Sequence, residues 1–290
     1  MMLHPVVLAL FVGSLVTAAM LAAAAFLGLR IRRHWDLASG SEAQLRLERQ
    51  TYLVSTVMSY VLAFQVLSLF LFIHTADSLS RLFIGAMCAA GSLKVNAFGY
   101  PTLVVKIGNC LLAGLWLILN AIDNRAPDYP LIRTKYLLLL VMTPVLLAEV
   151  ALQSLYLLKL EPNVITSCCA IVFSPAGGPV AAGFLALPCW LSQGAFVASA
   201  AVSLLLGWSV YRRGRGGTLF ALASLGHFLL AVNALIAFIS LYIYELPTHH
   251  CPFCLLHREY GFIGYPLYAA LLVDVIAGTG AGLIGRYRAV

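Results

Sequence analysis

Seven stretches of this chain each run for more than 20 residues with almost no charge: Pro5–Leu29, Tyr52–His74, Pro101–Ile122, Tyr136–Leu158, Val180–Tyr211, Thr218–Tyr244 and Phe262–Ile284. About 20 apolar residues are what a helix needs to cross the hydrocarbon core of a bilayer. In lipid, every backbone N–H and C=O must find its partner within the protein, which leaves helices as the economical solution for such segments. The expectation is an all-α integral membrane protein, a bundle of about seven transmembrane helices forming one polytopic domain over residues 1–290. Composition agrees. Charged residues are 10% and hydrophobic residues 62% of the chain, against about 25% charged in a soluble globular domain. Disorder, collagen and coiled coil are excluded. The net charge of +7 then reports orientation in a membrane and not a nucleic-acid surface. The bilayer is the first partner, and no nucleic acid is expected.

Basic residues set the topology. With the N-terminus outside and the C-terminus cytoplasmic, all of the 18 Lys and Arg residues fall inside except Arg81, Lys94, Lys106, Lys159 and Arg258. The reverse orientation inverts that bias, so N-out is expected. The first stretch lacks a basic leader and is followed by Arg30, Arg32 and Arg33, the pattern of an uncleaved span and not of a signal peptide. In the fifth, Pro188 is expected to kink or divide the helix. The shorter run Leu82–Gly91 cannot span and reads as re-entrant or interfacial. The turn-rich segment after it, through Gly99 and Pro101, reads as a cap over the membrane surface. Ser174–Pro179 reads as a loop.

Of the seven cysteines, Cys110 and Cys189 fall within spans, where a buried Cys acts as a small hydrophobe. The others, Cys88, Cys168, Cys169, Cys251 and Cys254, all fall in loops that the charge argument places outside. That is the side on which disulfides persist. The densest feature is His249-His250-Cys251-Pro252-Phe253-Cys254-Leu255-Leu256-His257-Arg258. A Cys-x-x-Cys pair can close a small redox ring, and its thiolates are tunable. Pro252 fits the first turn of a helix running on into the last span. Cys251 would then sit at a helix N-terminus, where free N–H groups favour an anion. Arg258, His250 and His257 would tune the thiolates or move protons.

The motif Cys251-x-x-Cys254-Leu255-x-x-Arg258 resembles that of the DsbB disulfide-bond-formation oxidoreductases, and more loosely that of the vitamin K epoxide reductases. The resemblance is local to these residues. It implies that Cys251 and Cys254 pass electrons to a membrane quinone, with Arg258 as the cation on the quinone side.

Cys168 and Cys169 are adjacent, with Cα atoms about 3.8 Å apart, closer than the 4.4–6.8 Å or so that ordinary disulfides span. A bond between them would be strained and easily reduced, as suits a relay. Each could equally bond elsewhere, with Cys88 as an accessory thiol, or present a thiolate to a metal. His249, His250, Cys251, Cys254 and His257, with Cys168 and Cys169, make up a mixed soft-donor set suited to copper, zinc or mercury. Leu255 after Cys254 excludes the Cys-x-x-Cys-His pattern of covalent haem attachment.

Glu149 and Asp274 lie within the fourth and seventh stretches. Intramembrane carboxylates commonly mark a proton or ion path, or pair between helices. Asp274 stands about 30 Å along a helix from Cys254, too far for direct chemistry. Lys106 and Asn109 would help a quinone headgroup, or Lys106 would snorkel to the interface. His74 and His227 approach opposite faces, which disfavours a shared haem.

Three functions follow. The first is a thiol–disulfide oxidoreductase acting on the outer face, with Cys251 as the more exposed attacking thiol, Cys254 resolving, and Cys168 and Cys169 as a second station. Its partner would be a soluble extracytoplasmic thiol protein, and its setting a bacterial inner membrane with the cysteines on the periplasmic face. The second is soft-metal binding or transport through the same Cys and His residues. The third is a non-catalytic membrane subunit of a respiratory or maturation complex.

Overall fold

The structure is a computed structural model. It describes residues 5–36, 41–126, 129–161, 164–166, 188–246 and 249–285. Its long elements are helices: α1 (Pro5–His34), α2 (Glu42–Leu79), the short α3 (Ala89–Lys94), α4 (Gly99–Asp123), α5 (Ile132–Leu158), α6 (Cys189–Arg213), α7 (Gly217–Ala234), α8 (Ser240–Tyr244) and α9 (Gly264–Ile284). Between α7 and α8 the helix continues through one π-helical turn, Leu235–Ile239. Counting that continuous run as one, seven helices are long and apolar enough to cross a membrane. Large apolar side chains are exposed along them, among them Val16, Phe26, Leu204, Leu205 and Trp208. Lipid is the environment that makes such a surface favourable.

Contacts group the chain into two compact units, one of residues 1–75 with 96–160 and the other of residues 76–95 with 161–290. In the first, α5 packs against both α1 and α4. Leu21, Ile31, Met58, Leu62, Trp116, Tyr136 and Leu139 form its apolar core.

Two buried ion pairs lie in this unit. The Glu149 carboxylate accepts from Lys106 Nζ at 2.5 Å, Asn109 Nδ2 at 2.6 Å and Gln65 Nε2 at 2.7 Å. Lys106 also donates to Gln153 Oε1 at 3.0 Å, and Gln153 Nε2 donates to Leu10 O on α1 at 3.2 Å. Near the other end of α5, Lys135 Nζ meets Asp123 Oδ2 at 2.7 Å. It also donates to Asn120 Oδ1 at 3.1 Å, while the Leu131 N–H donates to Asp123 Oδ1 at 2.8 Å. All four charged side chains are at most 1% exposed. Lys106 therefore neither snorkels nor stands free for a headgroup. A buried ammonium needs a carboxylate beside it, and Glu149 is that partner.

In the second unit α7 packs against α6 and α9. Gly217 and Gly282 let the α7 and α9 backbones meet, since a Cβ on either would strike the other's carbonyl oxygen. His227 on α7 pairs with Ser199 Oγ on α6 at 2.9 Å, a packing hydrogen bond as expected of a lone membrane histidine. Helix α6 begins immediately after Pro188, which is extended, and the part of the fifth stretch before Pro188 lies outside the described residues. Asp274, on α9, is exposed. One expectation is corrected: Cys189 is the first residue of α6 and is exposed, not a buried hydrophobe.

Candidate functional site

The site grows from the end of α8. The π turn shifts the hydrogen-bond register so that Ser240 N–H reaches back to Leu235 O. The carbonyl of Ile236 then accepts the Ser240 hydroxyl at 3.0 Å and pairs with His250 Nδ1 at 2.9 Å. π turns of this kind concentrate at functional sites. Past Tyr244, Glu245 adopts a left-handed φ of 55° and caps the end of α8. Beyond His249 the motif contains two short 3₁₀ turns, Cys254–Leu256 and Arg258–Tyr260.

The last span begins only at Gly264, because Gly261 and Phe262 both take positive φ. Cys251 therefore does not occupy the N-terminus of that helix. The thiol tuning expected from a helix dipole there is withdrawn. Gly264 permits the close seating of α9 beneath the motif: a Cβ at that position would lie 2.9 Å from the Leu255 carbonyl carbon.

Two tyrosines clamp the Cys-x-x-Cys turn by its backbone. Tyr244 Oη donates to Cys251 O at 2.6 Å, and Tyr268 Oη on α9 donates to Pro252 O. Cys251 is 0% exposed and Cys254 7%. The expected order of exposure is reversed, and Cys254 is the less enclosed of the pair.

The third thiol comes from the segment after α2. Cys88 is fully buried in extended conformation, immediately before α3. Its Sγ lies 3.5 Å from Cys251 Sγ. The sulfurs of Cys88, Cys251 and Cys254 all lie within 4.8 Å of one another, and none is in a disulfide. Among the described residues no histidine belongs to this group: His249 stacks edge-on against Tyr244 and His250 pairs with the Ile236 carbonyl.

Asp77 escaped the sequence reading. Its Oδ1 accepts the Ala89 N–H at 3.1 Å and pairs with His257 Nε2 at 2.8 Å. One carboxylate thus holds the backbone beside Cys88 and a side chain three residues beyond Cys254. The available signal was an acidic residue just past the end of an expected span, close before a cysteine. Arg258 is exposed, and its side chain makes no ion pair among the described residues. Glu149 belongs to the ion-pair cluster of the other unit. Cys168 and Cys169 lie outside the described residues, as does Ser174–Pro179. Thr166, just before them, donates its N–H to Ile84 O at 2.9 Å.

No family model, curated protein or solved structure matches this chain.

Proposed function

We propose that the protein is a membrane thiol–disulfide oxidoreductase whose working centre is Cys88, Cys251 and Cys254. The observation that supports this is the grouping of three buried thiols from two distant segments, with Cys88 Sγ 3.5 Å from Cys251 Sγ. A Cys-x-x-Cys pair alone stores one disulfide. A third thiol within reach allows the bond to migrate inside the protein by exchange.

Entry is assigned to Cys254, the less enclosed thiol of the pair. Its thiolate attacks a disulfide sulfur on a soluble extracytoplasmic protein, and the partner's first thiolate leaves as a mixed disulfide forms. Cys251 then attacks Cys254 Sγ, closing the Cys251–Cys254 bond and releasing the partner's second thiolate. Two electrons pass to the partner, and the two thiol protons finish on its cysteines. Cys88 thiolate next attacks Cys251 Sγ, moving the bond to Cys88–Cys251 and returning Cys254 as a thiolate. Each step runs both ways, and the partner's potential sets the direction. His257, three residues beyond Cys254 and held by Asp77, is assigned as the proton carrier. Cys168 and Cys169 keep the role of second station.

Run in reverse, a partner dithiol reduces the Cys251–Cys254 bond and leaves as a disulfide, and in that direction a membrane quinone is the terminal acceptor of the two electrons. The guanidinium of Arg258, exposed and without an ion pair among the described residues, suits a quinone carbonyl. When bound, a quinone would supply two-electron, two-proton oxidation of the dithiol. The setting is the periplasmic face of a bacterial inner membrane.

The test is alkylation mapping by mass spectrometry on metal-free protein in detergent, before and after a small disulfide oxidant and then a thiol reductant. The expected result is reversible loss of two alkylatable thiols at a time, with both Cys251–Cys254 and Cys88–Cys251 linked peptides. If all three thiols stay reduced under oxidant that links a control dithiol, the proposal is wrong.

A further inference from the structure

We infer that the reduced cluster is a three-thiolate site for one soft, closed-shell metal ion, of the monovalent copper class. This goes beyond the redox reading and does not depend on it. Metal–thiolate bonds are about 2.3 Å long, so two sulfurs sharing one ion at trigonal angles stand about 4 Å apart. The three sulfurs here, with one pair at 3.5 Å and all within 4.8 Å, need shifts of under about an ångström to reach that spacing.

The donor set is chemically selective. Sulfur alone favours soft ions and excludes magnesium and calcium, which require oxygen. Structural zinc almost always takes four ligands. Among the described residues the group is three sulfurs with no histidine or carboxylate. Three-coordination by thiolates is a geometry that monovalent copper accepts.

Burial strengthens the argument. Cys88 and Cys251 are 0% exposed and Cys254 7%. Thiolates so enclosed are costly unless a cation neutralises them. The surroundings are also held in advance: Asp77 fixes the backbone at Ala89, and Tyr244 and Tyr268 fix the carbonyls of Cys251 and Pro252. Binding displaces thiol protons. It also competes with disulfide formation, because an oxidised Cys251–Cys254 pair leaves one thiolate for the metal.

The experiment titrates full-length, reduced, chelator-treated protein in detergent with monovalent copper as its acetonitrile complex, anaerobically and against a competing copper chelator. Alkylation mapping and copper X-ray absorption follow on the same sample. One equivalent should bind, protect Cys88, Cys251 and Cys254 together, and show a sulfur-only shell of three. Cys88→Ser should weaken binding at least about 100-fold, since losing even an outer-shell partner of a metal site can cost that much.

The variant is informative about metal only if its Cys251–Cys254 pair still cycles in metal-free buffer. If it does not, oxidised wild-type protein serves instead, and it should bind no copper tightly. Copper that leaves Cys88 open to alkylation, or equal affinity in Cys88→Ser, overturns the site. So does tighter binding of zinc than of monovalent copper. Redox cycling is read without metal and copper binding without oxidant, so either proposal can fail alone.

Discussion

Each unit of the molecule buries a polar cluster, and the two clusters are built on opposite principles. Around Glu149, a charged pair is surrounded by three amide side chains, and both carboxylate oxygens accept hydrogen bonds. Around Cys251, three thiols face one another, and the polar groups nearby are spent on backbone carbonyls that hold the loop. The first cluster is closed: its formal charges cancel, and its hydrogen bonds join α1, α2, α4 and α5. The second is chemically open, because a thiol can lose a proton, form a disulfide or take a metal without changing its neighbours. The difference separates a buried charge that specifies helix register from a buried group that can react. Intramembrane charge is the conspicuous sequence signal, yet at Glu149 and Lys106 it marks scaffolding.

The sharpest way to break that contrast is to unbalance the closed cluster. Lys106→Met leaves Glu149 buried and uncompensated, and should lower thermal stability in detergent by about 3–5 kcal/mol. Adding Glu149→Leu should restore most of the loss, because a matched apolar pair replaces a matched ionic one at little net cost. A single variant that is as stable as wild type would show that water or a counter-ion reaches Glu149, and the cluster would then belong with the reactive class.

The long helices were legible in the sequence because length and apolarity alone decide whether a segment spans. The seven expected stretches correspond to α1, α2, α4, α5, α6, the α7–α8 run and α9, with ends shifted by several residues where the described residues cover them; the start of the fifth lies outside them. The thiol site was half legible. Cys251 and Cys254 declare themselves by spacing, but their helix-terminal placement was misjudged. Pro252 is compatible with a first turn, while the positive φ of Gly261 and Phe262 puts the helix start at Gly264. Cys88 was one accessory candidate among several, since nothing in a single sequence pairs residues 163 positions apart. Asp77 was missed for the same reason: its partners, Ala89 and His257, lie 12 and 180 residues away. Lys106 was misplaced because its carboxylate partner is on another helix, 43 residues on.

Asp77 offers the next largest effect and tests how firmly the open cluster is held. Asp77→Ala removes the acceptor from the Ala89 N–H and from His257, each a bond to a charged group worth about 1.5–3 kcal/mol. If reagent reaches Cys88 through local opening, its alkylation should accelerate about tenfold or more. Asp77→Asn keeps an acceptor and should fall between. An unchanged Cys88 rate in Asp77→Ala would mean that the segment is held by its apolar burial alone. The tyrosine clamps should matter less. Tyr244→Phe and Tyr268→Phe each remove one neutral hydrogen bond, worth about 1 kcal/mol. Each should speed alkylation of Cys254 several-fold while leaving Cys88 nearly unchanged, since neither tyrosine bonds to that segment.

Arg258 should give the smallest stability effect, and for that reason it separates structure from chemistry most cleanly. Its side chain is exposed and holds no ion pair among the described residues, so Arg258→Gln should change stability by no more than about 0.5 kcal/mol. Alkylation of the three thiols should likewise be unmoved. A slower oxidation of the dithiol by a short-chain quinone, with oxidation by a small disulfide unchanged, would assign the guanidinium to the quinone. Equal slowing with both oxidants would place Arg258 among the residues that tune the thiols. If neither rate moved, Arg258 would be a surface cation, and the thiol cluster would have to find its electron acceptor elsewhere.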